Sequence, residues 1–265
     1  MPDPAPAPAP RYPLVFVLGV ARCGSTLLGR LLDRHPRVAA LGEFMRLDRA
    51  LARGRPCSCG AQVEACPAWG PELGWIEAET GFHHRRYTPQ FYQRVARARS
   101  ADVVVDLSKT MTLGLMRRWR FTRPAEAERA GFVLLVRDSR GVLASSARRG
   151  KDVRRLLGKH RRWMNRLYRF ARAQGERALV MHYEELCRAP ESELRRLCAW
   201  LGIEFDSGLL RQEAADHHLV HSSTSDWLAT HDGVVPDERW KSELSPDLIA
   251  QIERTMQRLL VYRGE

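Results

Sequence analysis

The sequence predicts an α/β domain: a phosphate-loop-like parallel sheet flanked by helices, single, with a Cys/Pro-rich cap inserted into it. Three observations lead there. Residues 14–32, LVFVLGVARCGSTLLGRLL, read as a buried strand, a glycine-bounded loop and an amphipathic helix in immediate succession. Further continuous apolar runs, DVVVD, GFVLLV and RALVMH, alternate with helical patterns, as strands covered on both faces do. Candidate anion-binding and acid–base groups follow three of those strands, at the carboxyl edge where ligands of parallel sheets bind.

Taken in order, residues 14–18 form the first strand and 25–34 the first helix, ending before His35-Pro36. A short second strand, 38–41, ends at Gly42-Glu43. Residues 44–100 read as irregular or helical, with a Cys/Pro/Gly-rich patch at 54–74 and a helix over 88–99. Strand 102–106 leads to a helix over 110–118; strand 131–136 leads through Arg137-Asp138 to a helix reaching Arg149. A long basic amphipathic helix covers 153–174, a fifth strand 177–182, and helical pattern continues over 183–201. Residues 217–246 have little periodicity and read as a long functional or flexible loop before a C-terminal helix. Residues 1–12, rich in Pro and Ala, read as a disordered lead-in to a domain over 13–265.

The chain has 265 residues, is 44% hydrophobic and carries a formal charge of +12, from 43 Lys+Arg against 31 Asp+Glu. That length suits one large α/β domain or two small ones, and the composition supports a real core. The basic balance favours anionic partners. The arginines are scattered rather than gathered in a tail, which argues against a nucleic-acid arm. No apolar run is long enough to cross a bilayer, so any membrane contact would be peripheral. The first ten residues lack the apolar core of a secretory leader, and the expected location is the cytoplasm, where six cysteines do not form a disulfide framework.

The loop of residues 19–26 departs from the nucleotide-triphosphate pattern G-x-x-x-x-G-K-[ST] at one place. Gly19, Gly24 and Thr26 match, but Ser25 stands at the lysine position and Arg22 carries the nearest positive charge. A cradle of backbone amides at a helix N-terminus remains, suited to a phosphate-like group.

The loop V-A-R-C-G-S-T-L-L, followed about a hundred residues later by V-R-D-S-R-G-V-L-A-S-S, resembles the two cofactor signatures of sulfotransferases that use 3′-phosphoadenosine-5′-phosphosulfate (PAPS). The patch Cys57-Ser58-Cys59-Gly60 to Cys66-Pro67-Ala68-Trp69 and the late Arg239-Trp240-Lys241-Ser242-Glu243-Leu244 are similar to its carbohydrate and bacterial branch. The resemblance implies that Arg22, Cys23, Gly24, Ser25, Thr26 and Leu27 hold the 5′-phosphosulfate, and that Arg137 and Ser145 clamp the 3′-phosphate. It further implies that Arg239 and Lys241 close over the nucleotide, that Lys109 offsets charge on the transferring group, and that Glu43 takes the acceptor's hydroxyl proton. PAPS is then the co-substrate, a hydroxyl of a glycan, lipid or small molecule the acceptor, and no metal is expected.

Two alternatives stay open. A P-loop kinase or NTPase would use Val103-Val104-Val105-Asp106 to hold magnesium, and a polyanion-binding module would use the charge alone. The cysteine patch also divides: Cys57, Cys59 and Cys66 either line a reduced cap or bind zinc with a fourth ligand such as Cys187, Cys198, His83 or His84. His217, His218 and His221 read as loop histidines beside the acceptor site.

Overall fold

A computed structural model of the chain describes residues 8–211, 217–221 and 234–257. Five parallel strands form one sheet: β1 (Leu14–Leu18), β2 (Val38–Gly42), β3 (Val103–Asp106), β4 (Ala130–Val136) and β5 (Ala178–His182), in the spatial order β2-β3-β1-β4-β5. Register pairs Leu14 with Val104 on one side and with Ala130 on the other. Every residue of β1 to β4 is buried, as the unbroken apolar runs require of a sheet covered on both faces.

The helices are α1 (Ser25–Leu32), α2 (Leu47–Ala52), α3 (Gly70–Thr80), α4 (Pro89–Ala98), α5 (Thr112–Thr122), α6 (Pro124–Glu128) and α7 (Ser139–Ala147). They continue with α8 (Val153–Ala173), α9 (Tyr183–Arg188), α10 (Pro190–Leu201), α11 (Trp240–Glu243) and α12 (Pro246–Met256). The run over 183–201 is two helices, because Pro190 cannot continue α9 and instead opens α10. In α8 the buried positions Val153, Leu157, His160, Met164, Leu167 and Ala171 recur at helical spacing, so its many arginines line the outer face.

The core is aromatic at two levels. Phe16 of β1 meets Tyr92 of α4, Trp119 of α5 and Phe132 of β4 with ring centroids 5.6 to 6.2 Å apart. Phe44 stacks on Trp69 at 5.1 Å and on Phe91 at 5.9 Å, which fastens the inserted cap to the same core as the sheet. Residues 1–7 lie outside the described residues. The expected lead-in is packed at its end, however: Tyr12 is buried against Trp200, and the Arg11 N–H donates to the Leu201 carbonyl. An aromatic side chain with a neighbouring face to cover joins the core, so residues 8–12 are tied to the domain.

Residues 217–221 also depart from the open loop expected of them. His217, Leu219 and Val220 are buried, and Val220 extends the edge of β2: its N–H donates to Leu41 O at 3.0 Å and its carbonyl accepts from Glu43 N at 2.9 Å. Gly42 makes this possible. It has φ +77°, and a Cβ there would lie 2.2 Å from the Val220 carbonyl oxygen. Residues 222–233 of the expected loop, and residues 212–216 before it, lie outside the described residues.

Candidate active site

The first half of the site is the turn between β1 and α1. Gly24, at φ +96°, caps α1, and a Cβ at this position would fall 2.4 Å from the Tyr183 ring, so no larger residue fits between loop and ring. The amides of Ser25, Thr26 and Leu27 occupy the first turn of α1, where the helical ladder supplies no acceptor and the dipole favours an anion. Cys23 does not join them. Its side chain is fully buried beneath the loop, close against Gly19, and its N–H is turned to the Val20 carbonyl. An apolar thiol packs better in the core than at an anion site, and this corrects the expectation that Cys23 contacts the ligand.

Arg22 sits at φ +73°, a strained conformation for a side-chain-bearing residue. Its Nε donates to Ser145 Oγ at 3.1 Å, which joins the two sequence signatures. Burial, and then the nearby charges of Arg149, Arg137 and Arg148, pull the Arg22 guanidinium down to about 10. Several guanidinium groups gathered around one hydroxyl suit an anionic ligand. Arg148 and Arg149 follow Ser145 at helical spacing, a signal the sequence offered but which went unread.

Arg137 lies where expected but is largely engaged with the protein. It is 8% exposed, its Nη1 donates to Arg22 O and its Nη2 to Asp237 O, both at 3.1 Å. Its guanidinium lies 4.3 Å over the Tyr183 ring. Asp237 knots the late segment to this clamp, bonding Arg148 at 2.8 Å and Arg239 at 2.8 and 2.9 Å. Burial alone would raise the Asp237 carboxyl, but Arg239, Arg137 and Arg148 hold it well below the usual carboxylate range. Arg239 therefore reaches the clamp through Asp237. Lys241 does not: its ammonium is exposed and pairs with Glu238 at 2.6 Å. Asp237 and Tyr183 were missed, because neither belongs to a local motif.

The second half joins β2 and β3. Asp106 at the tip of β3 is fully buried and accepts from Tyr92 Oη at 2.6 Å and from Ser108 N at 2.8 Å. Burial raises its carboxyl to about 6. A carboxylate turned into the core and bonded there does not hold magnesium at the loop, which removes the expected signature of an NTPase. It also does not orient Lys109 or Arg22. Lys109 is strained at φ +58° and 8% exposed, and its Nζ donates to Glu43 Oε1 at 2.5 Å and approaches Ser25 Oγ at 3.4 Å. Glu43 is also paired with Arg46 at 2.9 Å and faces His221 Nδ1 at 3.7 Å. Burial pushes the Glu43 carboxyl up, but Lys109 foremost, then His221 and Arg46, bring it below its ordinary value. His221 is itself lowered by burial, with φ +51°. Glu43, Lys109 and Ser25, from three separate elements, thus form one chain beside the loop.

A cleft of about 310 Å³ lies between the loop at Val20 and Ala21, Thr110 beside Lys109, Ser146 of α7, and His160 and Trp163 of α8; Glu43, Lys109 and Ser25 do not line it. His160 is lowered to about 4 by burial and shares a 2.9 Å hydrogen bond with Ser139.

The cap cysteines lie apart from this chemistry. Cys57, Cys59 and Cys66 gather with His218, which none of the sequence expectations chose as fourth member. Cys187 and Cys198 are buried under α9 and α10, and His83 stacks beside His84 instead.

Known proteins resemble this chain over most of its length. The model of the sulfotransferase family matches residues 13–207. The zebrafish Danio rerio protein-tyrosine sulfotransferase 1 is 26% identical over 215 residues, 76% of this chain and 56% of that protein. A putative protein-tyrosine sulfotransferase of Caenorhabditis briggsae is 23% identical over 224 residues, 78% of this chain and 70% of that one. The chain thus spans little more than half of the first relative's length. Among solved structures, the sulfotransferase domain of the Synechococcus PCC 7002 olefin synthase has a TM-score of 0.64 at 22% identity, covering 98% of both chains. Mouse sulfotransferase SULT7A1, complexed with PAP, has a TM-score of 0.55 at 12% identity, covering 96% of this chain and 87% of that one. At these identities the structures show a shared fold. With the family model spanning most of its length, the chain belongs to the sulfotransferase family.

Proposed function

We propose that the chain transfers a sulfuryl group from PAPS to a hydroxyl acceptor. One observation carries this reading: the Glu43–Lys109–Ser25 chain adjoins a loop whose Arg22 is bonded to Ser145 amid three further arginines. The residues fit an anionic nucleotide, since Arg22, Arg137, Arg148 and Arg149 gather their charges beside the first-turn amides of α1.

The chemistry is an in-line displacement. The acceptor oxygen bonds to sulfur, the bridging oxygen leaves with adenosine 3′,5′-bisphosphate (PAP), and the acceptor's proton goes to a base. Glu43 is that base: it is ionised at neutral pH, with Oε1 held by Lys109 and Oε2 lying between Arg46 and His221. Lys109 holds Glu43 in place and carries the positive charge that offsets what builds on the leaving oxygen. Arg22 and the first-turn amides of α1 fix the sulfate end, while Arg137 with Ser145 shapes the far phosphate site. Such catalysis rests on positioning and preorganised charge.

The acceptor body occupies the cleft at Ala21, Thr110 and Trp163, whose largely apolar wall suits an alcohol or phenol on a hydrophobic frame. A cytoplasmic setting is part of this reading, and six unpaired cysteines support it. Labelled PAPS with a panel of a glycan, a lipid alcohol and a tyrosine peptide tests the activity. PAP should raise the melting temperature well above the effect of equal Mg-ATP. A larger shift with Mg-ATP would return the chain to the kinase reading.

A further inference from the structure

Cys57, Cys59, Cys66 and His218 bring one ligand atom each into a group in which all lie within 4.8 Å of one another. Cys57 and Cys66 are buried, and the other two are half-buried. Cys59 Sγ and Cys66 Sγ are 3.8 Å apart, and Cys66 Sγ is 3.3 Å from His218 Nδ1. A zinc tetrahedron with bonds of about 2.3 Å has sulfur–sulfur edges of about 3.8 Å. A disulfide would need about 2.05 Å.

From this geometry we propose that the protein binds one zinc ion through the sulfurs of Cys57, Cys59 and Cys66 and the Nδ1 of His218. Three thiolates and an imidazole are a soft, nitrogen–sulfur donor set with no carboxylate, which selects zinc over magnesium or calcium. Four protein ligands leave no open position, so the site is structural rather than catalytic.

The surrounding chain is built to present these atoms. Cys57 and Cys59 lie on a tight turn closed by Gly60 N to Cys57 O at 2.9 Å and by Cys57 N to Ala61 O at 2.8 Å. A 3-10 turn at Val63–Ala65 delivers Cys66, whose carbonyl accepts from Trp69 N and Gly70 N. His218 is fixed on both sides, its N–H donating to Asp33 Oδ2 and its carbonyl accepting from Trp69 Nε1, each at 2.7 Å. Between the ligands, Ser58 N donates to Leu219 O at 3.1 Å and Ser58 Oγ accepts from Leu219 N at 2.8 Å.

The two segments lie 152 residues apart along the chain, and zinc would cross-link them where only hydrogen bonds and packing do so otherwise. The consequence reaches the edge of β2. Val220, two residues past His218, bonds Leu41 and Glu43, and His221 follows against the Glu43 carboxylate. The ion would therefore set the wall that holds Glu43, an effect on structure that does not depend on Glu43 being the base.

The test is metal content, which needs no substrate. The full chain, purified without chelator, should contain about one zinc per molecule, released by a mercurial reagent together with the cap thiols. The cobalt-substituted protein should show thiolate-to-cobalt charge-transfer bands of a tetrahedral site. Cys59→Ser and His218→Ala should each lose zinc on dialysis against EDTA under conditions where the parent keeps it, and His218→Cys should restore retention. Three results would overturn the site: no zinc and no cobalt bands in the parent protein, full zinc retention in both loss variants, or a Cys59–Cys66 disulfide in the unreduced protein. If the variants fail to fold, the cobalt spectrum of the parent decides. PAP binding measured alongside keeps a failed zinc site distinct from a failed nucleotide site.

Discussion

Replacing Glu43 by Gln removes a charge while keeping shape. The carboxylate is 22% exposed and meets Lys109, itself 10% exposed, at 2.5 Å and Arg46 at 2.9 Å. The Gln side chain keeps an oxygen to accept from Lys109, so the loss is one charge-assisted hydrogen bond, about 1.5–3 kcal/mol, less than the cost of leaving a buried charge wholly unpaired. In a domain of this size that lowers the melting temperature by roughly 3–12 °C, which leaves a folded enzyme at assay temperature. Turnover should fall about 10²–10⁴-fold, with PAP affinity nearly unchanged. The pH dependence follows from the sign of the shift. Glu43 is held below its ordinary value, so its ionised form, and the stability its pairs confer, persist at neutral pH and are lost as pH falls through that lowered value. The parent rate should be level near neutrality and drop only below about pH 4.5, and the variant should lack that acid limb. Steady-state kinetics with calorimetric PAP titration make the measurement. Near-normal turnover would refute the base assignment, and a parallel loss of PAP affinity would place Glu43 on the nucleotide instead.

Arg137→Ala should weaken PAP binding by about 1.5–3 kcal/mol, and unchanged calorimetric affinity would remove Arg137 from the phosphate site. The same change strips the Arg22 and Asp237 carbonyls of a donor, so urea unfolding should also show a loss of about 1–3 kcal/mol. Gly24→Ala forces a Cβ onto Tyr183 at φ +96° and should cost at least about 1–3 kcal/mol with loss of PAP binding; a fully stable, PAP-binding variant would show that the loop has room. His160 is buried neutral, with its pKa lowered to about 4, so the unfolded chain takes up its proton first as pH falls. Stability should drop by about 2 kcal/mol between pH 7 and 5, a slope that His160→Gln reduces in urea titrations.

Local pattern was enough for the sheet and for half of the site. Unbroken apolar runs mark buried parallel strands because both faces need covering, and glycine spacing plus a helix start mark an anion cradle through backbone geometry alone. The sequence also ranked Ser25 at the lysine position as the break with nucleotide triphosphatases, and Asp106, bonded into the core, agrees with it.

Which side chains meet was decided by tertiary structure. Glu43 and Lys109 follow β2 and β3 and Ser25 opens α1 after β1, and the strand order β2-β3-β1 lays those three ends side by side. Asp237 and Tyr183 reach Arg137 from distant segments that have no periodicity linking them. Cys23 stands in the loop motif, but a loop position does not reveal which way a side chain turns, and burial of a thiol is favourable. His218 joins the cap cysteines across 152 residues because Asp33 and Trp69 fix its backbone, contacts that long-range packing alone creates. Spacing along the chain encodes what one segment can do by itself. Chemistry that needs several segments is set by the packing that orders them, and that is a property of the whole chain.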